Sequence, residues 1–171
     1  MTENATPREQ FVPGYTIAAI SSIIVLVAFF AVPYVSSFVV VNATGIQLAN
    51  AAAEAGSEGA DSGDPTASML AALWMVPLAA VIALTSVLIG VGGPPSDSRR
   101  SGVSIALMLT GGIFAFVLFV LLVFLASQGQ EGGSVLAGGS YLTLIGIIGI
   151  GAGGAIEQIA LAGNRSKNAS K

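Results

Sequence analysis

Four long apolar runs, separated by short segments rich in glycine, proline or charge, set the pattern of this 171-residue chain. They predict spans over about residues 15–35, 67–91, 103–126 and 141–162. Each holds roughly 20 residues or more, enough at about 1.5 Å per residue to cross a hydrocarbon core of about 30 Å. The expected fold is therefore all-α, a four-transmembrane-helix bundle that forms a single integral membrane domain over residues 1–171.

Local signals mark the ends of the runs. Pro13 and Gly14 precede the first, and Pro33 stops it, because proline removes a backbone donor and clashes with the preceding turn. Tyr15 and Tyr34 stand at its two ends, where aromatic belts meet the membrane surface. Asp64-Pro65 pairs an N-cap with a proline at the first helical position, and Gly92-Gly93-Pro94-Pro95 closes the second run. Within that run Pro77 predicts a kink, and Trp74, about seven residues in, is expected to pack against another helix rather than lie in a belt. The third run carries Phe114, Phe116, Phe119 and Phe124 among leucine and valine on every face, which makes it the most lipid-like helix or the one that meets a partner.

The outer connection, residues 36–64, divides in two. Residues 37–41 are apolar and β-branched, too short to span, and are expected on the membrane surface or against the helices. Thr44-Gly45-Ile46-Gln47 then reads as a capping box that starts a short helix, running through alanines to Ala55 and ending at Gly56. An acidic, small-residue tract follows. Thr44, Gly45 and Gln47 mark this loop as the candidate recognition surface.

Charge orients the pattern. All six basic residues, Arg8, Arg99, Arg100, Arg165, Lys167 and Lys171, flank the runs on one side, whereas the other two connections carry only acids. By the positive-inside rule both termini are cytoplasmic. The first run is read as a retained anchor, since it is longer than a signal-peptide core and follows an acidic leader.

Composition narrows the chemistry. The chain is 54% hydrophobic and 9% charged, with a mean hydropathy of +0.85, too apolar for a soluble domain. Cysteine and histidine are missing. Thiolate metal sites, iron–sulfur clusters, histidine-ligated haem and the commonest general base are thereby excluded, so no enzyme and no bound metal are expected. No basic stripe suits nucleic acid.

Small residues carry the positive evidence. Gly149 and Gly153 form a G-x-x-x-G ridge in the fourth run; Ala79, Ala83, Ser86 and Gly90 recur at helical spacing in the second; Ala18 and Ser22 do so in the first. Gly149, Gly151 and Gly154 also spell a dinucleotide fingerprint, but no strand precedes them and no ribose-binding acid follows. Glu157 is the one carboxylate expected inside the apolar slab. The count from Tyr141 puts it close enough to the cytoplasmic boundary to reach headgroups or a partner, and Arg165 lies too far along the helix to pair with it.

Three stretches carry a resemblance: 29–36 (FFAVPYVS), 44–49 (TGIQLA) and 73–78 (LWMVPL). Together they resemble a group of small four-span membrane proteins of filamentous phototrophic bacteria and their relatives. Tyr34 stands where that group more usually has Trp. Some of its members resemble accessory subunits of energy-converting assemblies, such as alternative complex III or the reaction-centre core. The resemblance implies a non-catalytic accessory subunit of a larger membrane complex, electron-transfer or photosynthetic, with other integral subunits as partners. Quinone, carotenoid or lipid contact would then fall to Trp74 and the Phe-rich run. Two other readings stay open: a small transporter or channel with Glu157 as the coupling carboxylate, and a membrane sensor or scaffold that uses the outer loop.

Overall fold

The computed structural model describes residues 12–37, 42–58, 72–92, 96–132 and 134–169. Helix α1 spans Pro13–Ala31, with Pro13 in the first turn, where a missing N–H costs nothing. It ends two residues before Pro33. Val32 is held extended at φ −106° and ψ 135°, as the residue before a proline must be.

The helical expectation holds for most of the described chain, and a small sheet adds to it. Although the described chain is mostly helical, three short strands cap one end of it: β1 (Pro33–Ser37), β2 (Asn42–Thr44) and β3 (Ser134–Leu136). They form an antiparallel sheet in the order β2-β1-β3. Once Pro33 stops α1, backbone groups emerging beside apolar helices still need partners, and aromatic and β-branched residues suit a pleated ladder. Residues 38–41, expected on the membrane surface, lie outside the described residues.

Helix α2 (Gly45–Glu58) opens on the expected capping box: the Thr44 backbone N–H donates to Gln47 Oε1 at 2.9 Å, and the Gln47 N–H to Thr44 Oγ1 at 3.4 Å. It continues through Gly56, which does not end it. A 3₁₀ turn, Ala72–Trp74, leads into α3 (Met75–Val91). Pro77 falls in the first turn of α3, where backbone donors have little intrahelical demand, so the residue starts a helix rather than kinking one. Asp64 and Pro65 lie outside the described residues.

Helix α4 covers Asp97–Gly132 and α5 covers Gly138–Ala169, both longer than their apolar runs. Ser96 caps α4: its Oγ accepts the Arg99 N–H at 3.3 Å and its carbonyl the Arg100 N–H at 3.1 Å. Arg99 and Arg100, expected in a loop, thus belong to the first helical turn.

Among the described residues, four helical segments are long and apolar enough to cross a membrane: Pro13–Ala31, Ala72–Val91, Asp97–Ser127 and Gly138–Asn164. Helix α5 packs between α1 and α4, and α3 lies against both of those helices. Glycines permit the approach. A Cβ at Gly153 would lie 2.5 Å from the Gly14 carbonyl oxygen of α1, and one at Gly154 would lie 2.6 Å from the Ser104 carbonyl oxygen of α4. The outward faces carry isoleucine, leucine and phenylalanine, among them Phe116 at 70% exposure. As expected of the Phe-rich run, α4 is the least covered of the four.

Candidate functional site

The residues with chemistry gather where α1, α4 and α5 meet. Glu157, from α5, is 1% exposed, and its Oε1 accepts two hydrogen bonds from Arg100, from Nε at 2.9 Å and from a terminal guanidinium nitrogen at 2.5 Å. The side chain therefore turns into the protein. Its partner is a residue 57 positions upstream.

Four further side chains close the cluster. Gln158 donates through Nε2 to the Ser101 carbonyl at 2.9 Å and to Ser101 Oγ at 3.2 Å, a second tie between α5 and α4. Ser104 Oγ donates to the Arg100 carbonyl at 2.8 Å, and the Tyr15 hydroxyl donates to the same carbonyl at 3.2 Å. The ring of Tyr15 fills the space left by Gly90 of α3, where a Cβ would lie 2.7 Å from the ring. One continuous set of contacts, Gly90–Tyr15–Arg100–Glu157, thus joins all four spanning helices.

Burial explains why these groups come paired. An isolated charge removed from water costs several kcal/mol, and a hydrogen-bonded counter-charge offsets much of that cost. Arg100 is 21% exposed along its side chain, so its guanidinium keeps a route to solvent. Glu157 depends on Arg100.

At the opposite end, Tyr34 is fully buried and its hydroxyl donates to Thr143 Oγ1 of α5. Burial pushes this hydroxyl well above the usual phenol range, and the bond to Thr143 offsets only part of that effect. Phe29 is the hub of this end, in edge contact with Tyr34 and tilted against Trp74 at 6.1 Å between ring centroids. Trp74 touches that ring yet is 42% exposed, at the end of its span. It therefore packs against α1, as expected, with part of the ring left uncovered.

The small residues selected from the sequence occupy several interfaces. Ala18, Ser22, Ala79 and Ala83 are buried, and Ser86 and Gly90 are half-buried. Gly149 meets Ser21 and Gly153 meets Gly14 and Ala18, all on α1. The hydroxyls of Ser22 and Ser86 donate to carbonyls of their own helices, those of Ala18 and Ile82. Of the loop residues, Gln47 is exposed and Gly45 is covered by Phe29. The side chains of Thr44 and Gln47 are engaged in the cap.

Sequence reasoning missed Arg100, Tyr15 and Gln158. A signal existed: if α4 starts at Asp97, then Arg100, Ser101 and Ser104 are all in its first two turns, opposite the far end of an antiparallel α5. Gly111, packed against Gly151, was missed as well. Among the described residues no group of three or more His, Cys, Asp or Glu could hold a metal ion. Fold and site together define a mainly helical protein with four candidate membrane spans among its described residues and an internal ion pair. Comparison with family models, with curated proteins and with solved structures returns no match.

Proposed function

We propose that this protein is a non-catalytic structural subunit of a larger bacterial membrane complex, inserted in the cytoplasmic membrane with both termini inside. The observation that carries this reading is the engagement of Glu157. The carboxylate best placed to move a proton or ion is held by Arg100 at a glycine-packed junction, an arrangement suited to fixing helix register. Orientation is supported by the placement of lysine and arginine. The bulky, poorly covered face of α4, with Phe116 and Phe119, is the surface offered to neighbouring subunits or lipid.

The resemblance of residues 29–36, 44–49 and 73–78 to four-span proteins of phototrophic bacteria favours an electron-transfer or photosynthetic assembly as the host. There the subunit would fill a gap between larger partners, and Trp74 and α4 would contact lipid, quinone or carotenoid. Extraction from native membranes in a gentle detergent should return the protein with stoichiometric integral partners. Recovery of the protein alone overturns the proposal. Proton or solute flux in reconstituted vesicles, abolished by Glu157→Gln, would instead establish the transporter reading.

A further inference from the structure

Glu157 leaves half of its carboxylate unused. Both bonds from Arg100 end on Oε1, whereas Oε2 is buried and accepts no hydrogen bond from any described residue. A buried anionic oxygen without a donor is strongly disfavoured, and such atoms in folded proteins are almost always satisfied by protein or by ordered water. The nearby donors are largely committed. Arg100 directs two nitrogens to Oε1, and the Gln158 amide is directed to Ser101.

Tyr15 is the exception. Its bond to the Arg100 carbonyl, at 3.2 Å, is long for a hydroxyl donor, and that carbonyl already accepts Ser104 Oγ at 2.8 Å. Gly14 lies against the Cβ of Glu157, so the first turn of α1, with Tyr15 next in sequence, packs beside this side chain. An unspent acceptor and an under-used hydroxyl are the two partners that an internal water needs.

We infer that a single water molecule is bound at Glu157 Oε2 and bridges it to the Tyr15 hydroxyl. The water donates one hydrogen to Oε2 and exchanges a hydrogen bond with Tyr15, so α1 joins the ion pair through solvent as well as through packing. Exchange with bulk water occurs past the partly exposed Arg100 side. This site stands whether or not the protein has partner subunits.

The test uses the full chain in lipid nanodiscs. A structure that resolves ordered water should show one isolated peak within hydrogen-bond distance of both Oε2 and the Tyr15 hydroxyl. In Tyr15→Phe, which keeps the ring against Gly90, that peak should weaken or vanish while the Arg100–Glu157 contact persists. In infrared spectra the Glu157 carboxylate band, identified by its loss in Glu157→Gln, should shift on transfer to deuterated water and shift again in Tyr15→Phe. Direct contact of the Tyr15 hydroxyl or a further Arg100 nitrogen with Oε2 overturns the inference. So does a file of waters running on towards the opposite face, or a band that neither change moves.

Discussion

Arg100 and Glu157, 57 residues apart in the chain, form a buried ion pair that closes the junction of α1, α4 and α5. The two partners are unequal. Arg100 keeps 21% of its side chain exposed and Glu157 1%, so loss of the arginine strands a charge, whereas loss of the acid frees a long side chain that can reach solvent. Arg100→Leu should therefore destabilise the bundle by about 3–5 kcal/mol, and Glu157→Leu by less. The double leucine variant should recover most of the loss, because an apolar pair of similar volume avoids the desolvation cost. Reversible unfolding of the three variants in mixed micelles measures this; equal losses for the two single variants would contradict it.

Glycines of α5 divide between two neighbours, and substitutions should follow that division. At Gly153 a Cβ meets backbone of α1, and at Gly154 it meets backbone of α4. Backbone cannot yield as a flexible side chain can, so Gly153→Leu and Gly154→Leu should each cost at least about 1–3 kcal/mol. Gly112 is the control. A Cβ there meets nothing within 4 Å, so Gly112→Ala should leave the isolated protein unchanged or gain up to about 1 kcal/mol through helix propensity. Melting of the purified variants distinguishes the two sets.

Tyr34 gives the protein an alkaline limit. Burial raises its hydroxyl in the folded state above the ordinary phenol value of about 10 in the unfolded chain. The neutral phenol is therefore the form that the fold favours. Its contribution is fully present below about pH 10 and is lost as the pH climbs from there towards the raised folded value. Stability measured against pH should decline across that range, and the part due to this residue should disappear in Tyr34→Phe. That variant should also lose about 1 kcal/mol at neutral pH with the bond to Thr143. A Tyr34→Phe profile identical to the parent's would remove this residue as the cause.

Most of the fold was legible because span length, proline stops and glycine spacing are local properties. Pro33 ended α1 and Thr44 and Gln47 capped α2 where the sequence placed them. The sheet was not legible, since β1 pairs with β3 from a segment about a hundred residues away, and strands of three to five residues leave no reliable period. The ion pair was hidden for a related reason. Hydropathy marks where a helix becomes apolar, not where it begins, so α4 seemed to start at 103 and Arg100 seemed to be in a loop. The serine cap at Ser96 was the overlooked sign. The G-x-G-x-x-G pattern has a packing origin: Gly149 serves the α1 face, and Gly151 and Gly154 serve the α4 face.

The capping box should matter locally rather than globally. Thr44 and Gln47 satisfy each other's backbone donors at the start of α2, which lies beside the sheet. Thr44→Ala should weaken that helix by about 1 kcal/mol. Faster amide exchange over Gly45–Glu58, with protection in α1 and α5 unchanged, is the expected signature. Uniform loss of protection across all helices would show that α2 is integral to the bundle.

Orientation can be settled by labelling, because the chain has no cysteine to interfere. Ala51 is exposed on α2, and Gly163 is exposed near the end of α5, beyond Glu157. The contacts Gly14–Gly153 and Gly139–Val32 make α1 and α5 antiparallel, so α2 and the end of α5 emerge at opposite ends of the bundle. If lysine and arginine mark the cytoplasmic side, Ala51→Cys should react with a membrane-impermeant maleimide in intact cells. Gly163→Cys should react only after permeabilisation. At Gly163 a Cβ meets nothing within 4 Å, so the substitution itself does not perturb packing. The reverse pattern would place Arg100 and the ion pair at the outer surface, and the basic residues would then have to be read as contacts to partners or lipid headgroups rather than as the determinant of insertion.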